Sequence, residues 1–178
     1  MRWTLLFLVG CLLPATQQHL TLKVADVTTQ PAFVVGEPQR TAEWSIEPTI
    51  RVCATSEVPI YRVSQAVRFW QALGYKFDGI FRDSSPACMN PRYGEILITL
   101  PESGFSNHHM ASTVTYTDKK TGDIVKAKIH ILPKYAKKPR VIEHEIGHAL
   151  GWRHYPQKFH IMHPTWQLGG LSTRGLRK

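Results

Sequence analysis

The amino-acid sequence predicts an α+β domain, and three observations carry that prediction. Residues 95–100 form a strongly apolar, β-rich run of the kind that suits a buried central strand. Residues 58–73 repeat apolar side chains at helical spacing and stop at Gly74. Residues 140–150 form a second helical stretch, opened by Pro139 and closed by Gly151. Two helices set apart by a run of short strands describe an α+β chain better than an alternating one.

The remaining elements follow in order. Residues 16–43 are irregular, with Pro31, Gly36 and Pro38, and hold one short alternating stretch, Leu20, Leu22 and Val24. Residues 49–53 read as a strand ahead of the first helix, and residues 75–81 as a strand after it. A turn-rich loop at 84–92 carries Cys88 and precedes the apolar run. After a loop at 101–109, residues 111–117 alternate and are rich in threonine. A polar turn at 118–123 then returns the chain into a strand at 124–132.

At 178 residues and 43% hydrophobic content, the chain is expected to be one domain with small extensions and a sizeable core. The formal net charge of +9 comes partly from Lys134, Lys137, Lys138 and Arg140, and from Arg174, Arg177 and Lys178. A solvated basic face accounts for it, and so does attraction to an acidic substrate or surface. Nucleic acid is not an expected partner, since no recognition module or aromatic interleaving accompanies the charge.

Arg2 precedes an apolar run from Leu5 to Leu13, too short to span a bilayer. This start reads as a secretory signal peptide over residues 1–15, cleaved after Ala15, leaving 16–43 as an N-terminal extension and possible short pro-segment of a domain at 44–178. The expected location is secreted or extracytoplasmic (periplasmic in a bacterium), without stable membrane insertion after cleavage. The alternative is a lipid anchor at Cys11, because Leu8-Val9-Gly10-Cys11 resembles a lipoprotein box. Without the leader, Cys53 and Cys88 remain as an even pair in an oxidising compartment. A disulfide between them would stabilise by roughly 3–4 kcal/mol; the alternative is two free buried thiols.

Residues 144–154 read His-Glu-Ile-Gly-His-Ala-Leu-Gly-Trp-Arg-His. On a helix, His144 and His148 share one face a turn apart, and Glu145 sits beside the first, rotated off its axis. Were the helix to continue, His154 would lie roughly 15 Å further along and point elsewhere. It joins the other two only if the chain turns back, and Gly151 is the residue that permits a left-handed turn. Three histidines, a glutamate, a glycine and Met162 at these spacings arise at a given position by chance with a probability on the order of 10⁻⁹. The pattern predicts one Zn²⁺ held by His144, His148 and His154, with a position left open for water.

This pattern resembles the signature of the metzincin zinc metallopeptidases. Met162-His163-Pro164 makes the matrixin branch, the matrix metalloproteinase-like one, the nearest in appearance. The resemblance covers roughly residues 44–178 and is specific at 144–166. It implies a zincin-like catalytic domain with a mixed, twisted sheet of four to five strands and two main helices, the second carrying the zinc ligands. It implies Glu145 as general base and Met162 as a hydrophobic floor under the imidazoles, and it assigns His160 and His163 to the turn and not to the metal. It places Arg140, Pro164 and Trp166 around a specificity pocket, with a basic floor at Arg140. It also suggests that Ala111, Ser112 and Thr113, on the threonine-rich strand, offer an exposed edge to an extended peptide; a solvated hairpin is the alternative.

The chain departs from that branch in three places. No cysteine lies between the leader and Cys53, so the latency cysteine is missing. The glycine- and aspartate-rich calcium loop is absent, and calcium is not predicted. Ser172-Thr173-Arg174 stands where an Asp pair is usual, which predicts a short C-terminal helix of one or two turns.

The expected function is a secreted, monomeric, zinc-dependent endopeptidase in which metal-activated water attacks a peptide carbonyl and Glu145 moves the proton. A zinc-stabilised, catalytically silent peptide-binding module is the alternative. A silent module has no chemical need for a carboxylate at Glu145, and that residue favours the enzyme.

Overall fold

A computed structural model of the chain describes residues 36–86, 88–101 and 109–178, together with the backbone of 18–23. The predicted signal segment, Ala15 and Cys11 lie outside the described residues.

The strands are β1 (Gln18–Lys23), β2 (Thr49–Cys53), β3 (Gly79–Asp83), β4 (Glu95–Thr99), β5 (His109–Thr117) and β6 (Ile124–Ile131). The helices are α1 (Ile60–Gln71) and α2 (Val141–Ala149). The fold is α+β, as expected. The five strands from Thr49 onward form one mixed sheet, and β1 joins it as a sixth, in the order β1-β5-β6-β4-β2-β3. The five strands agree with the expected four to five, and β1 is one more that the sequence did not announce. It coincides with the alternating Leu20–Leu22 stretch, which is too short to distinguish from a loop by pattern alone.

Strands β3, β2, β4 and β6 run parallel, while β5 is antiparallel to β6 and β1 antiparallel to β5. β4 lies inside the sheet between β6 and β2, and all five of its residues are buried. This is why Ile96, Leu97 and Ile98 are consecutively apolar in the sequence and do not alternate. The expected strand at 75–81 falls instead at Gly79–Asp83. Tyr75 belongs to the core: its ring meets Trp70 edge-on at 5.3 Å and its hydroxyl accepts from Trp152 Nε1 at 2.8 Å.

The two helices are tied to each other by side chains. Trp70 on α1 donates its indole N–H to the Glu143 carbonyl on α2 at 2.8 Å, and Arg62 Nη2 reaches the Glu143 carboxylate at 3.1 Å. The core closes around Trp70, Ile96, Ile98, Ile129, Ile131, Ile142 and Ile146, none more than 1% exposed. Away from the helices, buried Arg51 binds Glu95 at 2.8 Å, Asp83 at 2.9 Å and the Asn90 carbonyl at 2.8 Å. Every charge in this cluster is paired, as burial demands. Beside it Cys53 and Cys88 form a disulfide with Cα atoms 5.7 Å apart, as the pairing of the two cysteines predicted.

Candidate metal centre

α2 positions the first two histidines by its own periodicity, and its ending positions the third. The Gly151 N–H donates to the His148 carbonyl at 2.9 Å and the Trp152 N–H to the Gly147 carbonyl at 3.0 Å, a Schellman ending. Gly151 has φ +95°, the left-handed conformation the turn-back requires. The turn is held from outside by residues 39–44. Arg40 Nε donates to the Leu150 carbonyl at 2.8 Å, Thr41 N–H to the Gly151 carbonyl at 2.9 Å, and Trp44 Nε1 to the Ala149 carbonyl at 2.8 Å. These donors satisfy helix-end carbonyls that would otherwise be orphaned. Their part in the site was not visible in the sequence, which reads as irregular there.

The turn brings His154 back. The rings of His144, His148 and His154 have centroids 4.6–5.4 Å apart, and one ligand nitrogen from each lies within 4.8 Å of the others. Both helix histidines are oriented by backbone acceptors: His144 Nδ1 bonds the Ile161 carbonyl and His148 Nδ1 the Trp152 carbonyl, each at 2.7 Å. A carbonyl can only accept, so the Nδ1 atoms carry the protons and the Nε2 lone pairs are left for a metal. The Nε2 atoms of His144 and His148 are buried without a hydrogen-bond partner among the described residues. Burial first, and then neighbouring His154, pull His144 down to about 3. Burial likewise holds His148 well below the usual imidazole range. Neutral imidazoles with inward lone pairs form a group that can hold a metal ion, and three nitrogens leave a coordination position open.

Glu145 is wholly buried. The Thr113 hydroxyl donates to its Oε2 at 2.6 Å, while Oε1 has no hydrogen-bond partner among the described residues. Burial raises this carboxyl to about 8, an effect the Thr113 hydrogen bond opposes. A cation bound in the triad would favour its ionised form. Thr113, expected on a substrate edge, thus turns its side chain into the sheet–helix interface to hold Glu145.

Met162 is fully buried and packs against Gly147 of α2 so closely that a Cβ there would collide with its sulfur, and would sit 2.7 Å from Trp70 Cζ2. His160 has both ring nitrogens engaged, accepting from the Met162 N–H at 3.1 Å and meeting the Arg174 carbonyl at 3.1 Å. His163 Nδ1 accepts from the Thr165 N–H at 3.0 Å. The expected C-terminal helix is not formed. The chain after Pro164 runs through turns, fastened by Ile161 N–H to the Ser172 carbonyl at 2.9 Å and by the fully buried Leu176.

Arg140 is the N-cap of α2 in a left-handed conformation (φ 70°), so the helix starts one residue later than Pro139 alone suggests. Arg140 and Trp166 line a small cavity with His144, Ile161, His163 and Gly169. Pro164 is half-buried in the turn between them. Ala111 and Ser112 are buried in β5. The edge of β5 is not free, which corrects the expectation of an exposed one. β1 pairs along it, with Leu20 opposite Thr113, Thr21 opposite Ser112 and Leu22 opposite Ala111.

Among the described residues no helix is long and apolar enough to cross a membrane. In comparisons with known proteins, no family model matches the chain and no curated protein matches its sequence.

Proposed function

We propose that this protein is a zinc-dependent endopeptidase of metzincin type, acting outside the cytoplasm. The observation that carries the reading is Glu145: a buried carboxylate with one oxygen pinned by Thr113 and the other unpartnered, next in sequence to a metal-binding histidine. A structural metal site has no use for such a group. Three nitrogen donors with one open position suit zinc, which acidifies water and polarises a carbonyl when bound.

The chain's own residues supply the rest. His144 and His148 are held in one tautomer by the Ile161 and Trp152 carbonyls, so they bind without reorganising. Thr113 holds Oε2, which leaves Oε1 to take the proton from water as its oxygen adds to the peptide carbonyl carbon. The same oxygen returns that proton to the nitrogen as the C–N bond breaks. No covalent enzyme intermediate is required. The disulfide and the apolar leader support an extracytoplasmic location.

An extended substrate would add along β5, where β1 now lies, so full activity requires β1 to leave. The test is zinc content, expected at one ion per chain, together with hydrolysis of a mixed peptide library. Glu145→Ala and a chelator should each abolish cleavage, with the variant keeping its zinc. A folded, zinc-loaded protein that cleaves nothing, with or without residues 1–35, would sink the enzyme reading and leave the binding module.

A further inference from the structure

The chain beyond the third histidine exposes apolar side chains on a cationic ground. Phe159 is 71% exposed, Leu171 63% and Leu168 42%. All three are rooted in one backbone knot. The Phe159 N–H donates to the Leu168 carbonyl at 2.7 Å, the Ser172 N–H to the Phe159 carbonyl at 2.9 Å, and the Gly170 N–H to the His160 carbonyl at 3.2 Å. These bonds hold Phe159 at φ 64°, in the left-handed region, where a bulky L side chain is strained. Gly170 lets the knot close, since a Cβ on it would overlap the Phe159 carbonyl oxygen. A phenylalanine kept where glycine is easier, with most of its ring in water, recovers little of that strain from its own fold.

The charge around the knot has one sign. From Ile146 to Lys178 the sequence holds no aspartate or glutamate and five cations, Arg153, Lys158, Arg174, Arg177 and Lys178. Lys158 adjoins Phe159, and the Arg174 carbonyl meets the His160 ring at 3.1 Å. On the other side a Cβ on Gly169 would lie 3.2 Å from Arg140 Nη1. Among the described residues Lys158, Arg174 and Arg140 form no ion pair. Glu143, near Arg140, is bound by Arg62 through both oxygens, and Glu37 reaches only the far end of the segment, at Gly175.

We propose that this knot is a membrane-docking surface, with Phe159, Leu168 and Leu171 entering the interface of an anionic bilayer and Lys158, Arg174 and Arg140 meeting its headgroups. Apolar tips ringed by uncommitted cations match the two layers of such a surface, acyl chain and phosphate. As an apolar core, three side chains fall short of the roughly 800 Å² per partner that a stable protein–protein interface covers. Docking of this kind is peripheral and weakens with salt. Gly169 belongs both to the knot and to the wall of the cavity beside His144, so docking would hold the metal centre at the membrane surface.

The test is co-sedimentation with vesicles of phosphatidylcholine, alone or mixed with phosphatidylglycerol. The protein begins at residue 16, so that the apolar leader binds no lipid itself, and it retains every described residue. Mixed vesicles should bind about tenfold more tightly than phosphatidylcholine alone. Phe159→Gly removes the ring and relieves the backbone, so affinity should fall about tenfold while thermal stability holds or rises. Leu171→Ser should weaken binding in the same direction, and Phe159→Trp should keep it. Lys158→Gln together with Arg174→Gln should cut the preference for the anionic vesicles roughly tenfold. Glu145→Ala should bind as the parent does, which separates this proposal from the peptidase reading. Equal binding to both vesicles, or affinity unchanged in Phe159→Gly and Leu171→Ser, would overturn it. So would a lipid-free dimer, seen by sedimentation velocity, that Phe159→Gly dissolves, because the patch would then belong to a second copy of the chain.

Discussion

Gly151→Ala tests whether the turn after α2 is what assembles the metal centre. The substitution adds one methyl group to a residue at φ +95°, where an L side chain costs about 1–2 kcal/mol. Alanine also restricts the unfolded chain, which returns about 0.4–1 kcal/mol. Contact decides the balance. The new Cβ would collide with the Ala42 carbonyl oxygen and lie 3.2 Å from its carbon and 3.3 Å from Ile124 Cδ1. Backbone, unlike a side-chain tip, cannot swing aside, so residues 39–44 must lift off the helix end. Lifting breaks the bonds from the Thr41 N–H and hydroxyl to the Gly151 carbonyl, at 2.9 and 3.0 Å, and from Arg40 to the Leu150 carbonyl. At about 1 kcal/mol each, these bring the expected loss to about 3–4 kcal/mol. His154 is displaced with the turn, so zinc affinity should drop by at least about tenfold, or 1.4 kcal/mol. Urea denaturation in a chelator reads the first quantity, and competition with a chromophoric chelator reads the second. Gly36→Ala, where a Cβ meets nothing within 4 Å, is the control and should change stability by less than about 0.5 kcal/mol. A loss at Gly151 below about 1 kcal/mol, or unaltered zinc affinity, would refute the reasoning.

Other perturbations separate the remaining parts of the argument. Replacing Cys53 and Cys88 together by serine opens a crosslink spanning 35 residues and should lower stability by about 4 kcal/mol, measured by denaturant titration, while zinc stoichiometry stays the same. Thr113→Val leaves the Glu145 carboxylate unheld; peptide hydrolysis should fall about tenfold at unchanged zinc affinity, and Thr113→Ser should restore most of it. An unaffected rate in Thr113→Val would show that the hydroxyl does not position the base. A protein beginning at residue 36 lacks β1, and kcat/KM on peptides should rise relative to the full chain; a fall would mean that β1 supports the site and does not cover it.

The parts of the fold that were legible are those with local causes. The histidine spacing, the glycine stop and the apolar run of β4 each follow from residues within a dozen positions, and they placed α2, the triad and the central strand. Elements held by distant partners were not legible. Arg40, Thr41 and Trp44 act on carbonyls 105–110 residues away, and nothing in their own neighbourhood marks them as helix-end donors. Thr113 read as one of several strand threonines; only the register of β5 against α2 turns it toward Glu145. Tyr75 drew the third strand four residues too early, because an aromatic in the core and an aromatic in a strand leave the same sequence signal. The extra strand at Gln18–Lys23 depends on pairing with an edge some ninety positions along the chain.

The position of β4 between β2 and β6 also governs when the molecule can assemble. Its neighbours pair through Ile50↔Ile96 on one side and Ile98↔Ile129 on the other, contacts spanning tens of residues. High contact order of this kind slows folding, because the entropy of loop closure is lost before the pairing compensates it. During synthesis β2, β3 and β4 can associate early, but the apolar second edge of β4 stays open until β6 has emerged. The histidines follow later still, and their turn closes only against residues made more than a hundred positions earlier. Until then, the nascent chain carries an unpaired hydrophobic edge. That interval, more than the finished protein, is where a chaperone has something to hold.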